Sequence, residues 1–224
     1  MSLILSFDTS TKNCSVALFE KEKLLSIKQE NAINYSHSEQ LTVFIEDVLK
    51  TAKISKEELN AVAIGRGPGS YTGLRIGTST AKGLCYALDI PLISIPTLQA
   101  MAFGLSKQYN SDLFCPMIDA RRMEVFAALY DQNNNTIREV RADILENETY
   151  QEYLNKKIVF FGDGAAKYKN VLKHANAIFI DEFLVSAEYI GYLAYNRFVS
   201  NKFEDVAYFE PFYLKDFVTN SKAV

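Results

Sequence analysis

Four consecutive side chains, Asp8-Thr9-Ser10-Thr11, place a carboxylate and three hydroxyls in one short connection, a set able to position a metal-bound phosphate. These residue types also bond readily to nearby backbone, so a plain hydrogen-bonded turn is the competing reading. The second candidate is a glycine cluster. Five of the ten glycines fall in Gly65-Arg66-Gly67-Pro68-Gly69-Ser70-Tyr71-Thr72-Gly73-Leu74-Arg75-Ile76-Gly77. Glycine permits positive φ and close approach of another backbone, which suits either a phosphate cradle or a tightly packed helix start. The segment lacks the Gly-Lys-Ser/Thr ending of a Walker A loop and is not G-x-G-x-x-G, because position 70 is serine. Gly69, Gly73, Gly77 and Ala81 instead recur every four residues and form a smooth helical ridge. Each helical glycine costs about 1 kcal/mol relative to alanine, so close packing must offset the loss, within the chain or against a partner.

Other catalytic chemistry is thinly represented. His37 and His174 are the only histidines, with no HExxH and no pair at i, i+4, so a zinc peptidase lacks its ligands. Both read as surface or capping residues. Ser70 and Ser79 have no histidine at a recognisable spacing and no G-x-S-x-G elbow. Cys14, Cys85 and Cys115 are widely spaced, with no CxxC, and read as reduced core residues of a cytoplasmic chain without a signal peptide or a long apolar span. A chain of 224 residues with 48% hydrophobic content can bury a sizeable core, as one large domain or two small lobes. A net charge of -3 and a pI near 5.5 give no basic stripe for a nucleic-acid backbone, so contact with RNA is expected to be indirect.

The elements that must hold these residues follow from periodicity. Leu3-Ile4-Leu5-Ser6-Phe7 reads as a strand ending at Asp8, residues 14–19 as a second and residues 24–29 as a third. Ser36 and Glu39 fit a capping box, and Leu41, Phe44, Ile45, Val48 and Leu49 follow at helical spacing. Ala61-Val62-Ala63-Ile64 then feeds the glycine segment and a helix over 72–88, followed by a strand over 92–95 and a helix from about Thr97. From Phe114 the pattern restarts: a strand ends in Asp119, strands follow at 125–130 and 136–141, then a weak helix, and Ile158-Val159-Phe160-Phe161 leads into Gly162-Asp163-Gly164. Two such halves, breaking near 109–112, imply a duplicated α/β lobe. Mixed sheets covered by helices and separated by a cleft are the layout of actin-like nucleotide-binding folds, with ligands beside strand ends and helix N-termini.

Phe7-Asp8-Thr9-Ser10, the glycine segment 65–77 and Ile118-Asp119-Ala120-Arg121-Arg122-Met123-Glu124-Val125 together closely resemble the TsaB (YeaZ) family, as does the closing Pro211-Phe212-Tyr213-Leu214. The resemblance implies a duplicated, two-lobed actin-like ATPase fold of the ASKHA, ribonuclease H-like kind. It implies an N-terminal α/β lobe over 1–110 and a C-terminal lobe over 111–224, truncated relative to TsaD-like paralogues. It also implies a non-catalytic role in threonylcarbamoyl-adenosine (t6A) synthesis at position 37 of tRNAs reading ANN codons, as partner of the transferase TsaD, with the ATPase TsaE joining the complex. TsaD-like transferases carry a His-x-x-x-His metal pair after a Pro-Leu-Ile strand. Here Thr97 and Met101 stand at those places, neither a good ligand for a hard metal. Their Ser-Gly-Gly-type turn is replaced by Asp119-Ala120-Arg121-Arg122.

The resemblance therefore implies no catalytic residues, no metal and a vestigial nucleotide cleft at Asp8, Thr9, Ser10, Gly67, Gly69 and Asp119, with ATP and magnesium entering only in the complex. It implies a partner interface on the first-lobe helices, at Leu41, Phe44, Ile45, Gly73, Leu74, Arg75, Gly77, Thr78, Ala81 and Lys82; packing within the chain's own lobe is the alternative for the same residues. Without the partner, that surface is expected to self-pair into a two-fold homodimer. An independent ATP-dependent phosphotransferase or ATPase, and more remotely a glycoprotease-like metallopeptidase, are the competing functions.

Overall fold

A computed structural model describes residues 2–31 and 37–215, so Ser36 of the expected capping box lies outside the described residues. The apolar runs at 3–8, 13–19, 61–65, 92–95, 113–118, 125–130 and 158–161 form strands buried on both faces, as central strands between helical layers must be. β1 (Leu3–Asp8), β2 (Asn13–Glu20) and β3 (Lys23–Asn31) make an antiparallel meander, and β4 (Ala61–Gly65) and β5 (Leu92–Ile95) extend it in parallel, giving the order β3-β2-β1-β4-β5. β6 (Leu113–Asp119), β7 (Glu124–Tyr130), β8 (Thr136–Ile144), β9 (Ile158–Phe161) and β10 (Ala177–Ile180) form a second sheet of order β10-β9-β6-β7-β8. Read from the opposite edge, the second order repeats the first strand for strand. The duplication expected from the recurring landmarks is therefore present in the hydrogen-bonded topology.

The helices differ more between the halves. α1 (His37–Ala52) and α2 (Tyr71–Leu88) cover one face of the first sheet, with Leu41, Phe44, Val48 and Ala81 in a cluster with Leu5, Phe7, Val16 and Val62. In the second half the corresponding positions hold a single 3-10 turn, Gln151–Tyr153, and α4 (Ala165–Lys169), only five residues long. Bulky aromatics fill that thinner layer: Tyr150, Phe160 and Tyr168 meet edge to face, and Phe179 stacks on Phe160.

The remaining two helices exchange sheets. α3 (Thr97–Ser106) packs chiefly against β6 and β7, whereas α5 (Ala187–Val199), from the second half, lies across β1, β2, β4 and β5. Ile190 and Ala194 of α5 join Ile4, Ala61, Ala63 and Ile93 in one buried cluster, and Ser6 donates to the Ala187 carbonyl at 2.9 Å. Each lobe thus carries part of the other's hydrophobic cover. Among the described residues no helix is long and apolar enough to cross a membrane.

Gly191 marks the tightest point of this exchange, since a Cβ there would stand 2.2 Å from the ring of Phe19. Gly191→Val is expected to lower stability by about 1–3 kcal/mol through overpacking. Denaturant unfolding should show a lower midpoint with an unchanged slope, and an unaltered midpoint would contradict the packing described.

Candidate functional site

Asp8 and Asp119 occupy corresponding positions, as the last residues of β1 and β6. After β1 the chain turns sharply, and Asp8 Oδ1 accepts from both the Ser10 amide (2.8 Å) and the Ser10 hydroxyl (2.6 Å). Thr9 donates its hydroxyl to the Gly73 carbonyl at 2.7 Å, and the Ser70 amide donates to the Ser10 carbonyl at 2.6 Å. Ser70 caps α2 by accepting from the Gly73 amide. Turn and helix start are therefore one hydrogen-bonded unit.

The glycine spacing has its explanation in this unit. A Cβ on Gly73 would stand 2.0 Å from the Thr9 carbonyl oxygen, one on Gly77 2.4 Å from Thr9 Oγ1, and one on Gly69 2.4 Å from the Ser10 carbonyl oxygen. Gly67 needs its φ of +103° and faces the Phe212 carbonyl. The smooth ridge is thus occupied by the chain's own turn. Gly73 and Gly77, expected at a partner interface, face inward, as do Leu41, Phe44, Ile45, Leu74, Thr78 and Ala81, all buried among neighbours of the same chain. Hydrophobic burial drives these apolar side chains to their own sheet first. Of the ten expected interface residues only Arg75 is exposed, lying over the Tyr71 ring, while half-buried Lys82 donates to the Ala207 and Phe209 carbonyls.

The cleft residues do not fit a nucleotide phosphate. A cradle needs outward amides and free hydroxyls, but Thr9 and Ser10 are buried and their hydroxyls are engaged within the turn. Asp8 is buried too, and its Oδ2, hard against Gly65, has no hydrogen-bond partner. Burial pushes the carboxyl up to about 6, opposed by its bonds from Ser10 and weakly by the Thr97 hydroxyl. On the opposite rim Asp119 is exposed and already neutralised by Lys167 at 2.6 Å, a lysine that also holds the Arg122 and Glu124 carbonyls. Asp163 accepts from the Asp119 amide, and its carboxyl is raised, first by burial and then by the Asp119 charge. Among the described residues no three His, Cys, Asp or Glu side chains gather as a metal site.

Of the two histidines expected at the surface, His37 departs from that expectation and His174 does not. His37 is buried, with Nε2 donating to the Thr11 carbonyl at 2.7 Å, so it props the β1–β2 connection from α1. His174 is exposed and accepts from the Asn176 amide through Nδ1. The three cysteines are buried and free, their thiols held high by burial, up to about 12.

Apart from Arg75, the exposed side of the same helices was missed in the sequence. Thr72, Arg75, Ser79, Gly83 and Tyr86 line the outer face of α2, and Thr42, Val43, Glu46 and Lys50 that of α1. Tyr86 is 87% exposed and Val43 51%, and a Cβ on Gly83 would meet nothing within 4 Å. Gly83 was the available signal: it falls off the four-residue ridge, so the turn at Asp8 cannot account for it.

A family model described as TsaD, tRNA N6-adenosine threonylcarbamoyltransferase, matches residues 31–222. The tRNA threonylcarbamoyladenosine biosynthesis protein TsaB of Escherichia coli (strain K12) is 32% identical, covering 98% of this chain and 97% of its own length. Its namesake in Bacillus subtilis (strain 168) is 27% identical over 76% of this chain and 75% of its own. Among solved structures, YeaZ from Pseudomonas aeruginosa superposes with a TM-score of 0.84 at 26% identity, covering 96% of this chain and all of that one. The activator of the 2-hydroxyisocaproyl-CoA dehydratase from Clostridium difficile, with bound ADPNP, shares the fold alone, with a TM-score of 0.50 at 8% identity, covering 91% of this chain and 98% of that one.

The raised Asp8 carboxyl fixes the sign of a pH dependence. Folding favours the neutral acid, so its contribution is complete below the ordinary value of 3.8 and is lost as pH rises through about 6. Asp8→Asn removes that loss, about 3 kcal/mol at the full shift. Unfolding midpoints at pH 4.5 and pH 8 should show the variant gaining on the parent at the higher pH; a gain at the lower pH would be the wrong sign.

Proposed function

The chain belongs to the TsaB (YeaZ) family of tRNA threonylcarbamoyladenosine biosynthesis proteins, and from that premise we propose that it serves the modification as a docking subunit, held by a TsaD-like transferase through the outer face of α1 and α2. Its place in t6A biosynthesis comes with the family. The modified nucleotide is that at position 37 of tRNAs reading ANN codons, in the cytoplasm.

Gly83 carries the reading. A glycine exposed in a helix interior costs about 1 kcal/mol relative to alanine, and none of the described residues packs on it to offset that. A second helix lying across the α2 stripe would fill the space, with Tyr86 as the kind of aromatic anchor that dominates interfaces and Arg75 at the other end. A match of the TsaD family model to this chain supports a partner of like fold, so that two related helix pairs meet about a pseudo-two-fold axis. Left alone, the same face pairs with its own copy. A TsaE-like ATPase joins through the transferase, which also carries the tRNA contact, since a chain of net charge -3 attracts no phosphate backbone. The subunit contributes no catalytic group and no ATP or metal of its own. Its engaged hydroxyls and the Asp119–Lys167 pair support that assignment over the ATPase alternative.

Gly83→Glu and Tyr86→Asp alter only exposed positions and should weaken co-elution with TsaD at least about tenfold, with loss of t6A in cells that depend on the variant. Gly77→Glu, by contrast, should unfold the first lobe. If Gly83→Glu co-elutes and supports modification as the parent does, the docking face is wrong; Mg-ATP turnover by the isolated chain, abolished in Asp8→Asn, would favour the ATPase.

A further inference from the structure

Beyond α5 the chain returns to the first lobe and then crosses to the second. Glu204 pairs with Leu92 at the edge of β5 and accepts from Ser94 at 2.5 Å, and Phe209 is buried in the cluster under α1 and α2. The last firm anchor is therefore Phe209. Residues 210–215 go on to span the two lobes. The Phe212 amide donates to the Arg66 carbonyl at 2.7 Å, and Tyr213 lies on Tyr71 with ring centroids 4.7 Å apart. Leu214 then packs on the apolar cluster of the second sheet that includes Phe126, and Lys215 pairs with Glu124 beyond it.

We propose that residues 210–215 are a latch that ties the two lobes together, separate from the permanent joint made by the exchanged helices α3 and α5. The contacts differ in kind on the two sides. At the joint, Ile190, Ala194 and Gly191 are buried against the first sheet. At the latch, Phe212 is 37% exposed, Leu214 is only partly buried and the Lys215–Glu124 pair faces solvent. Segments with few buried contacts and exposed hydrogen bonds open locally without global unfolding. Lifting the latch frees the Arg66 carbonyl, Gly67 and Tyr71 on one lobe and Phe126 and Glu124 on the other, so the exposure of these groups is set by the chain's own tail. Its anchoring carbonyls at Ala207 and Phe209 are those held by Lys82, on the flank of the helix proposed to dock a partner.

Hydrogen exchange on the isolated chain tests this without any partner, so the result stands apart from the docking assignment. In the parent, the Phe212 amide should exchange much faster than the amides of β1 and β4. Leu214→Asp combined with Tyr213→Ala should speed exchange about tenfold both in residues 66–71 and in residues 123–126, leaving β1 and β9 protected. Tyr213→Phe, which keeps the ring contact, should match the parent. Unchanged exchange on either lobe in the double variant, or a rise spread evenly over every strand, would overturn the latch.

Discussion

One close backbone contact governs the molecule: the turn at Thr9 and Ser10 lies against α2 at positions where no side chain could fit. A carbonyl 2.0 Å from where a Cβ would be leaves glycine as the residue for position 73, and the same turn dictates glycine at 69 and 77. Such proximity brings α2 down on the strand end, buries Asp8, Thr9 and Ser10, and turns their hydroxyls inward. A loop of the composition expected for phosphate handling has become a structural joint. The raised carboxyl of Asp8 follows from that burial, with its second oxygen beside Gly65.

With the inner face of α2 committed to the turn and the sheet, only the outer face is left for other molecules. The residues there are small, apart from Arg75 and Tyr86. The opposite rim of the cleft tells the same story. Lys167 gathers Asp119 and two carbonyls into one knot, so the charges that would otherwise attract a metal or polarise a substrate are already answered within the chain.

Duplication explains the remaining architecture. Both halves keep the five-strand order, but the second has lost most of its helical layer, and aromatic rings do the covering in its place. Exchange of α3 and α5 makes the lobes interdependent, since the first sheet would expose Ile4, Ala61 and Ile93 without a helix from the second half. The exchanged helices make a buried joint between the halves, while the contacts of the tail are lighter and partly exposed.

Much of this was readable from residue order alone. The apolar runs placed β1, β5 and β9 almost to the residue, helical spacing placed α1 and α2, and the recurrence of strand-Asp and strand-Gly-x-Gly announced the repeat, because these patterns record local period and local turn chemistry. Periodicity could say that α2 has a smooth ridge and that α1 has an apolar stripe. It could not say what would meet them. That was decided by the path of the chain: a turn more than sixty residues earlier fills the ridge, a helix from the far half covers the first sheet, and the tail ties across the top. Contacts between distant segments depend on three-dimensional packing that residue spacing does not encode, so the sequence determined the elements and their duplication, while the tertiary structure decided which faces are core and which are exposed.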